Sequence, residues 1–198
     1  MKYKIKRIDF YNKECIDSFY NYIYKEKREK IFKIKVKYKK VQSIIGEILL
    51  KELLQEKNIS YKDLMFSTND YGKPYITNSD IFYNISHSFE YIVTIISDKE
   101  IGIDIEKIRK TNLNCVNQFA TPQERKYITA NNQNIEKKIF EIYTLKEAYF
   151  KMKGNNLNNI KNVEFNIINN NVICSDKNVS AYFINDLKDY VIAVCEKK

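Results

Sequence analysis

Ile101-Gly102-Ile103-Asp104-Ile105-Glu106 is the stretch that decides the fold, because apolar residues alternate in it with small or acidic ones. Alternation with period two is typical of a half-buried β-strand. We therefore predict a strand over residues 101–106, with the isoleucines in the core and Asp104 and Glu106 on the opposite face. Gly102 is expected to leave open space beside the two carboxylates.

Residues 135–153 form the second informative stretch, and their pattern predicts a helix that ends at the glycine that follows. Residues four apart lie on one face of a helix, so Tyr143, Glu147 and Lys151 would share a stripe. The alternative is that Lys146, Glu147 and Lys151 are ordinary helix-surface charges.

The two stretches together offer three carboxylates with lysines nearby: Asp104, Glu106 and Glu147. Mg²⁺ prefers oxygen ligands, usually one or two carboxylates plus phosphate oxygens of a substrate. Converging carboxylates beside lysines therefore suit a site in which a magnesium ion binds a diphosphate. The alternative is that Asp104 and Glu106 are only solvent-facing polar residues, as most such pairs are.

Other periodic segments predict a mixed α/β chain whose second half faintly repeats the order of the first. Helices are predicted over residues 13–24 and 40–57, and strands over 2–10, 81–86, 91–97, 163–168, 172–174, 179–184 and 190–195. A turn at residues 97–100 predicts that strands 91–97 and 101–106 form a hairpin. Residues 107–114 resemble a polar connection between the halves.

Composition narrows the class of protein. With 198 residues, of which 44% are hydrophobic and 14% aromatic, the chain can form a substantial core. No apolar run approaches the roughly 20 residues of a membrane helix, and the amino terminus lacks the apolar core of a signal peptide. The four cysteines have no metal-type spacing, which is typical of reduced thiols in a cytoplasmic protein: Cys15, Cys115, Cys174 and Cys195.

Positive charge is concentrated in one segment. The net charge is +9, and residues 25–40 hold nine Lys or Arg against two Glu. Such a segment is either an ordinary solvated surface or an electrostatic site for phosphates or an acidic protein. Nucleic-acid binding would need a reader motif or interleaved aromatic residues for stacking, and neither is evident.

Six stretches resemble, in order and spacing, the 4'-phosphopantetheinyl transferases of the larger, two-lobed, surfactin-synthetase-activating type. They are Lys27–Lys30 (KREK), Tyr71–Pro74 (YGKP), Phe82–Ser88 (FYNISHS), Ile101–Glu106 (IGIDIE), Phe119–Glu124 (FATPQE) and Tyr143–Lys151 (YTLKEAYFK). The resemblance covers most of residues 1–195. Its most specific part is GIDIE followed by KE-x3-K, with NISHS ahead of both.

This resemblance implies an α/β (α+β) fold of two similar lobes with pseudo-twofold symmetry. Each lobe would be a small, mainly antiparallel sheet packed against a long helix, with the active site between the lobes. Residues 1–106 would form the N-terminal lobe, which contacts the nucleotide and phosphates of coenzyme A. Residues 107–198 would form the C-terminal lobe, which carries the metal-site helix and the carrier-protein contacts.

The activity that the resemblance implies is Mg²⁺-dependent transfer of 4'-phosphopantetheine from coenzyme A to a serine of an acyl or peptidyl carrier protein. The other product is adenosine 3',5'-bisphosphate. The carrier protein is expected to be acidic, and the enzyme a monomer that binds neither nucleic acid nor membranes.

The motifs of the family also imply roles for particular residues. The positions that bind magnesium are Asp104, Glu106 and Glu147. Lys151 matches a position at the diphosphate or leaving group, and Glu147, Glu124 or a metal-bound water would be the general base. Thr121-x-x-Glu124 is also the pattern of a helix capping box, and a cap and a base compete for the same oxygens.

Coenzyme A would contact a further set of residues: Lys27, Lys30, Lys73, Ser86, His87 and Lys151. Lys27 and Lys30 would approach the ribose 3'-phosphate, and Lys73 would hold the nucleotide. Ser86 and His87 would bind phosphates, although a lone histidine is more often a structural hydrogen-bonding residue.

The chain departs from the family at two positions. Gln42 stands where an arginine commonly contacts the 3'-phosphate, and Lys39 or Lys40 is near enough to substitute for it. Tyr143 replaces a tryptophan but retains an aromatic body with a polar tip. Two rival functions stay open: a non-catalytic paralogue that binds coenzyme A or a carrier protein, and a basic nucleic-acid-binding protein.

Overall fold

The computed structural model describes residues 1–10, 13–155, 157–169 and 171–198, with side chains except those of residues 10, 13–16, 157 and 158. The chain divides into two compact units, Met1–Asp98 and Lys99–Lys198. This division lies ahead of the expected lobe boundary at residues 106–107, because the strand Ile101–Lys107 pairs with Tyr190–Lys197 in the second unit.

The described residues of the first unit contain a three-stranded antiparallel sheet. The elements are β1 (Lys2–Arg7), α1 (Lys13–Tyr20), α2 (Lys25–Phe32), α3 (Lys37–Gln55), β2 (Phe66–Thr68), β3 (Pro74–Ile76), β4 (Phe82–Ser88) and β5 (Tyr91–Ser97). The sheet has the order β1-β5-β4, and β2 and β3 form a separate pair. The long helix α3 packs on this sheet, with Ile45, Leu49 and Ile92 in one fully buried cluster.

The described residues of the second unit contain a five-stranded antiparallel sheet. The elements are β6 (Ile101–Lys107), α4 (Val116–Phe119), α5 (Pro122–Thr129), α6 (Ile135–Lys153), β7 (Phe165–Ile168), β8 (Asn171–Cys174), β9 (Val179–Ile184) and β10 (Tyr190–Lys197). The sheet has the order β6-β10-β9-β8-β7. Leu145 and Ala148 of α6 share a core with Ala193 and Cys195 of β10. Both units therefore confirm the expected antiparallel sheet with a long helix.

Most predicted elements lie close to their observed bounds, but one predicted pairing is wrong. The helix over residues 135–153 is confirmed at both ends. At its carboxyl-terminal end Gly154 takes the left-handed conformation, with φ of 68°, which stops the helix. The hairpin is wrong, because β5 pairs with β1 and β4, whereas β6 pairs with β10. A turn signal is local, but strand pairing depends on distant segments.

The sequence did not predict α2. Six of its eight residues are charged and only Ile31 is buried, so no apolar period marks the helix. The basic segment of residues 25–40 is therefore α2, the start of α3 and the connection between them.

No helix in the described ranges combines the length and apolarity needed to cross a membrane. Cys115, Cys174 and Cys195 are free thiols, and Cys15 lies outside the described side chains. Burial raises the pKa of the Cys174 and Cys195 thiols, so both stay protonated near neutral pH.

Candidate active site

The strand β6 is buried on both faces over residues 101–105. Its isoleucines are buried as predicted, but Gly102 does not leave open space. A Cβ atom at Gly102 would lie 2.1 Å from the carbonyl oxygen of Ala148 and 2.4 Å from the backbone nitrogen of Met152. Both atoms belong to α6, so this glycine lets the helix backbone lie directly on the strand.

We expect Gly102→Ala to lower the free energy of unfolding by about 1–3 kcal/mol, the usual range for overpacking, because α6 must move off β6. Urea unfolding followed by circular dichroism measures the change. Gly46→Ala is the control, since its Cβ would meet a side chain, Ile85 Cγ2 at 2.6 Å, rather than backbone. A Gly102→Ala protein no less stable than Gly46→Ala would contradict the close contact.

Side chains of α6 and β6 meet beside this contact. Lys151 Nζ donates to Asp104 Oδ1 at 2.6 Å, where Asp104 is 4% exposed. The Tyr143 hydroxyl donates to Glu147 Oε1 at 2.8 Å, and the Tyr143 ring packs edge-on against Phe119. Tyrosine at this position therefore keeps an aromatic contact and also holds Glu147.

Glu106 follows Asp104 on the same face of β6, and its Oε2 lies 3.2 Å from Arg109 Nη1. Burial is the main cause of a raised pKa at Glu147, and the charges of Asp104 and Glu106 add to it. Tyr143 and Lys151 oppose this rise. Asp104 and Glu106 thus act electrostatically on Glu147.

These carboxylates do not form a ready-made metal cage. In the part of the chain that the structure describes, no group of three His, Cys, Asp or Glu side chains is arranged to hold a metal ion. Each carboxylate has its own donor instead, on Lys151, Tyr143 or Arg109. The donor chemistry nevertheless fits Mg²⁺, because one or two carboxylates with substrate phosphate are its usual ligands.

Glu124 forms a buried ion pair. Its Oε2 lies 2.9 Å from Lys146 Nζ, and both side chains are 0% exposed. Oε2 also accepts from the backbone N–H of Thr121, and Oε1 accepts from that of Phe165. The capping box with Thr121 is complete, as its pattern predicts. Since both oxygens are occupied, this geometry does not support Glu124 as the general base.

Lys146 is a buried residue and not an ordinary helix-surface charge. Its ammonium also donates to the carbonyl oxygens of Ile160 and Val163, at 3.0 and 2.7 Å. Burial lowers the pKa of Lys146, and Glu124 opposes this change. A sequence signal existed, because Lys146 continues an apolar stripe at helical spacing: Ile139, Ile142 and Phe150.

The predicted ligands of the 3'-phosphate have different surroundings. Lys27 Nζ lies 3.2 Å from Oε1 of Glu47, a fully buried carboxylate on α3 that our sequence reasoning missed. Tyr61 donates to Glu47 Oε2 at 2.8 Å, and burial raises the pKa of Tyr61, which keeps this donor protonated. Lys30 is exposed, and its Nζ lies 3.4 Å from Thr68 Oγ1.

Lys27→Met is expected to lower the free energy of unfolding by about 1–3 kcal/mol, because it removes a charged partner from the buried Glu47. Lys30→Met is the matched control and should change stability by at most about 0.5 kcal/mol, as surface substitutions usually do. Urea unfolding of the two variants side by side measures the difference. Equal stabilities would show that Lys27 does not support Glu47.

The remaining predicted contacts of coenzyme A lie on a turn and on β4. The backbone N–H of Lys73 donates to Asn69 Oδ1 at 2.9 Å, which orders the turn ahead of β3. Ser86 and His87 are neighbours on β4 and so point to opposite faces, with Ser86 buried and His87 exposed. Their contacts with coenzyme A stay predictions.

Gln42 has a structural contact where the family commonly has an arginine. The side chain is 3% exposed, and its Nε2 donates to the carbonyl oxygen of Phe89 at 2.7 Å. Tyr38 donates to the same oxygen. Phe89 has a φ of 47°, which is strained for a bulky residue. Gln42 and Tyr38 thus anchor the turn that follows His87.

Comparison with known proteins gives a consistent result over both units. The family model described as "4'-phosphopantetheinyl transferase superfamily" matches residues 100–195, and the one described as "4'-phosphopantetheinyl transferase, N-terminal" matches residues 12–100. The solved holo-[acyl-carrier-protein] synthase of Thermotoga maritima is 18% identical, covers 50% of this chain and 62% of its own, and has a TM-score of 0.43. A TM-score this low does not establish a shared fold.

Two curated relatives have the same enzyme name. The 4'-phosphopantetheinyl transferase gsp of Aneurinibacillus migulanus is 38% identical over 57% of this chain and 48% of its own length. The 4'-phosphopantetheinyl transferase Sfp of Bacillus subtilis is 29% identical over 71% of this chain and 64% of its own length. The matches thus span about half to two thirds of these relatives. Since the two family models together cover residues 12–195, this chain belongs to the 4'-phosphopantetheinyl transferase superfamily.

Proposed function

We propose that this protein transfers the 4'-phosphopantetheine group from coenzyme A to a serine of an acyl or peptidyl carrier protein. The observation that carries this proposal is the junction of β6 and α6, where Asp104, Glu147 and Lys151 meet within a chain of this family. The serine oxygen attacks the β-phosphorus of coenzyme A. The bond to the bridging oxygen breaks, and adenosine 3',5'-bisphosphate leaves.

The residues at the junction of β6 and α6 would have different roles in this reaction. Asp104, Glu106 and Glu147 would hold a magnesium ion, which when bound supplies stabilisation for the charge that builds on the diphosphate. Lys151 would place its ammonium on the diphosphate as a point charge. Glu147 or a metal-bound water is our candidate base for the serine proton, because both oxygens of Glu124 already accept hydrogen bonds from backbone N–H groups.

Other parts of the chain would bind the two substrates. Lys27, Lys30, Lys73, Ser86 and His87 are our candidates for the nucleotide and phosphates of coenzyme A. The basic segment of residues 25–40 suits an acidic carrier protein, whose association should then weaken as salt rises. The three described free thiols support a cytoplasmic location, and we propose a monomer.

The direct test mixes the protein with coenzyme A, Mg²⁺ and purified apo carrier proteins from fatty acid, polyketide and peptide synthesis. Mass spectrometry of the carriers should show the gain of one phosphopantetheine group. Carriers with the acceptor serine replaced by alanine serve as controls and should stay unchanged. If the protein binds coenzyme A but no carrier protein gains mass, the result would favour the rival function, a non-catalytic paralogue.

A further inference from the structure

The short ion pair between Lys151 and Asp104 places a cation where the proposed metal would bind. Lys151 Nζ lies 2.6 Å from Asp104 Oδ1, and the two side chains are 30% and 6% exposed. The pair lies where α6 and β6 are in direct backbone contact at Gly102. Helix and strand therefore have little freedom to separate, and the flexible lysine stem is the part that can move.

The ammonium and a magnesium ion compete for Asp104. Magnesium lies about 2.0–2.1 Å from its oxygen ligands, so an ammonium on the same carboxylate would face it at close range as a like charge. A diphosphate offers the ammonium another anionic partner. With Lys151 drawn to the diphosphate, its ammonium would no longer occupy Asp104 Oδ1 and oppose a metal there.

We propose that Lys151 makes metal binding at Asp104 depend on a diphosphate ligand, so that metal and coenzyme A bind together rather than independently. This inference rests on the proposed function and gives Lys151 a second role, as the residue that couples metal binding to coenzyme A binding. Coupling between sites is reciprocal, so the metal must strengthen coenzyme A binding by the same factor.

The test measures Mn²⁺ binding by electron paramagnetic resonance, with and without coenzyme A and without any carrier protein. In the wild-type protein, coenzyme A should tighten Mn²⁺ binding by about 10-fold or more, within the usual range of coupling. Lys151→Gln keeps a donor near Asp104 but removes the charge. It should tighten Mn²⁺ binding in the absence of coenzyme A by about 10-fold and reduce the effect of coenzyme A.

Two further variants separate this role from a general loss of charge. Lys153→Gln removes a neighbouring ion pair of α6, between Lys153 and Asp176 at 2.9 Å, and should leave Mn²⁺ binding unchanged. Lys151→Arg keeps the charge and should keep Mn²⁺ binding weak without coenzyme A. If Lys151→Gln does not fold, Lys151→Arg is the decisive variant. Tight Mn²⁺ binding by Lys151→Arg in the absence of coenzyme A would overturn the proposal.

The outcomes distinguish this inference from the proposed function. If Lys151→Gln binds Mn²⁺ no more tightly than wild type while Asp104→Asn abolishes binding, the metal site stands and the role of Lys151 as a competitor is overturned. If Mn²⁺ binds with coenzyme A but Asp104→Asn has no effect, the proposed metal site itself is wrong. If no Mn²⁺ binds even with coenzyme A, both the proposed metal site and the competing role of Lys151 are wrong.

Discussion

Asp104→Asn is expected to slow phosphopantetheine transfer by at least about 100-fold while the protein stays folded. Removal of one well-placed electrostatic contact to developing charge commonly costs that much, and in the proposed reaction the charge would develop on the 5'-phosphate of the leaving adenosine 3',5'-bisphosphate. The asparagine oxygen can still accept a hydrogen bond from Lys151, so little stability should be lost. Initial rates with coenzyme A, Mg²⁺ and a reactive apo carrier protein measure the effect.

Two controls accompany this substitution. Asp189→Asn removes an exposed carboxylate of the same unit and should retain the wild-type rate. Excess chelator should abolish transfer by the wild-type protein, and added Mg²⁺ should restore it. Wild-type rates from Asp104→Asn, or full activity in excess chelator, would rule out the metal mechanism.

Lys146→Met should lower the free energy of unfolding by about 3–5 kcal/mol, because it leaves the buried Glu124 carboxylate without its ammonium partner. The carbonyl oxygens of Ile160 and Val163 lose a donor in the same step. Urea unfolding followed by circular dichroism measures the loss. Lys153→Gln is the control, since its partly exposed pair should be worth at most about 1 kcal/mol. A loss no larger than that of the control would show that the buried pair is not stabilising.

Glu124→Gln then separates the structural role of Glu124 from a catalytic one. Glutamine can still accept the Thr121 hydrogen bond, so the cap survives in part, whereas a general base would be lost. At a temperature where the variant is fully folded, we expect the transfer rate per folded molecule to stay within about tenfold of wild type. A loss of about 100-fold or more in the folded variant would assign Glu124 a part in the chemistry.

Local patterns determined the elements of this fold well. The helix over residues 135–153 and the strands around 101–106 and 190–195 follow from apolar spacing and from Gly154, and these signals involve only residues close in sequence. The expectation that Asp104, Glu106 and Glu147 converge beside lysines also began with spacing on one strand and one helix. The structure confirms that these two elements are in contact.

Burial of charge was the part that local patterns missed. Lys146 and Glu47 are charged residues on helices, and such residues are solvated unless something distant covers and pairs them. Lys146 is covered by the segments around Val163 and Glu124, and Glu47 by Tyr61 and Lys27. None of these partners lies within one helical turn, so helical spacing could place Lys146 on a buried face but could not reveal which residues pair with Lys146 or Glu47.

The sequence by itself thus determined most of the helices and strands, though not α2, and it also determined the family and which carboxylates and lysines are candidates for the chemistry. Only the tertiary structure decided that β6 pairs with β10 rather than β5, that Glu124 and Lys146 are buried as a pair, and that Lys151 holds Asp104. The physical reason is the range of the interactions. Backbone propensity and amphipathic spacing act between near neighbours, whereas strand partners, desolvation and ion pairing depend on which distant segments come together.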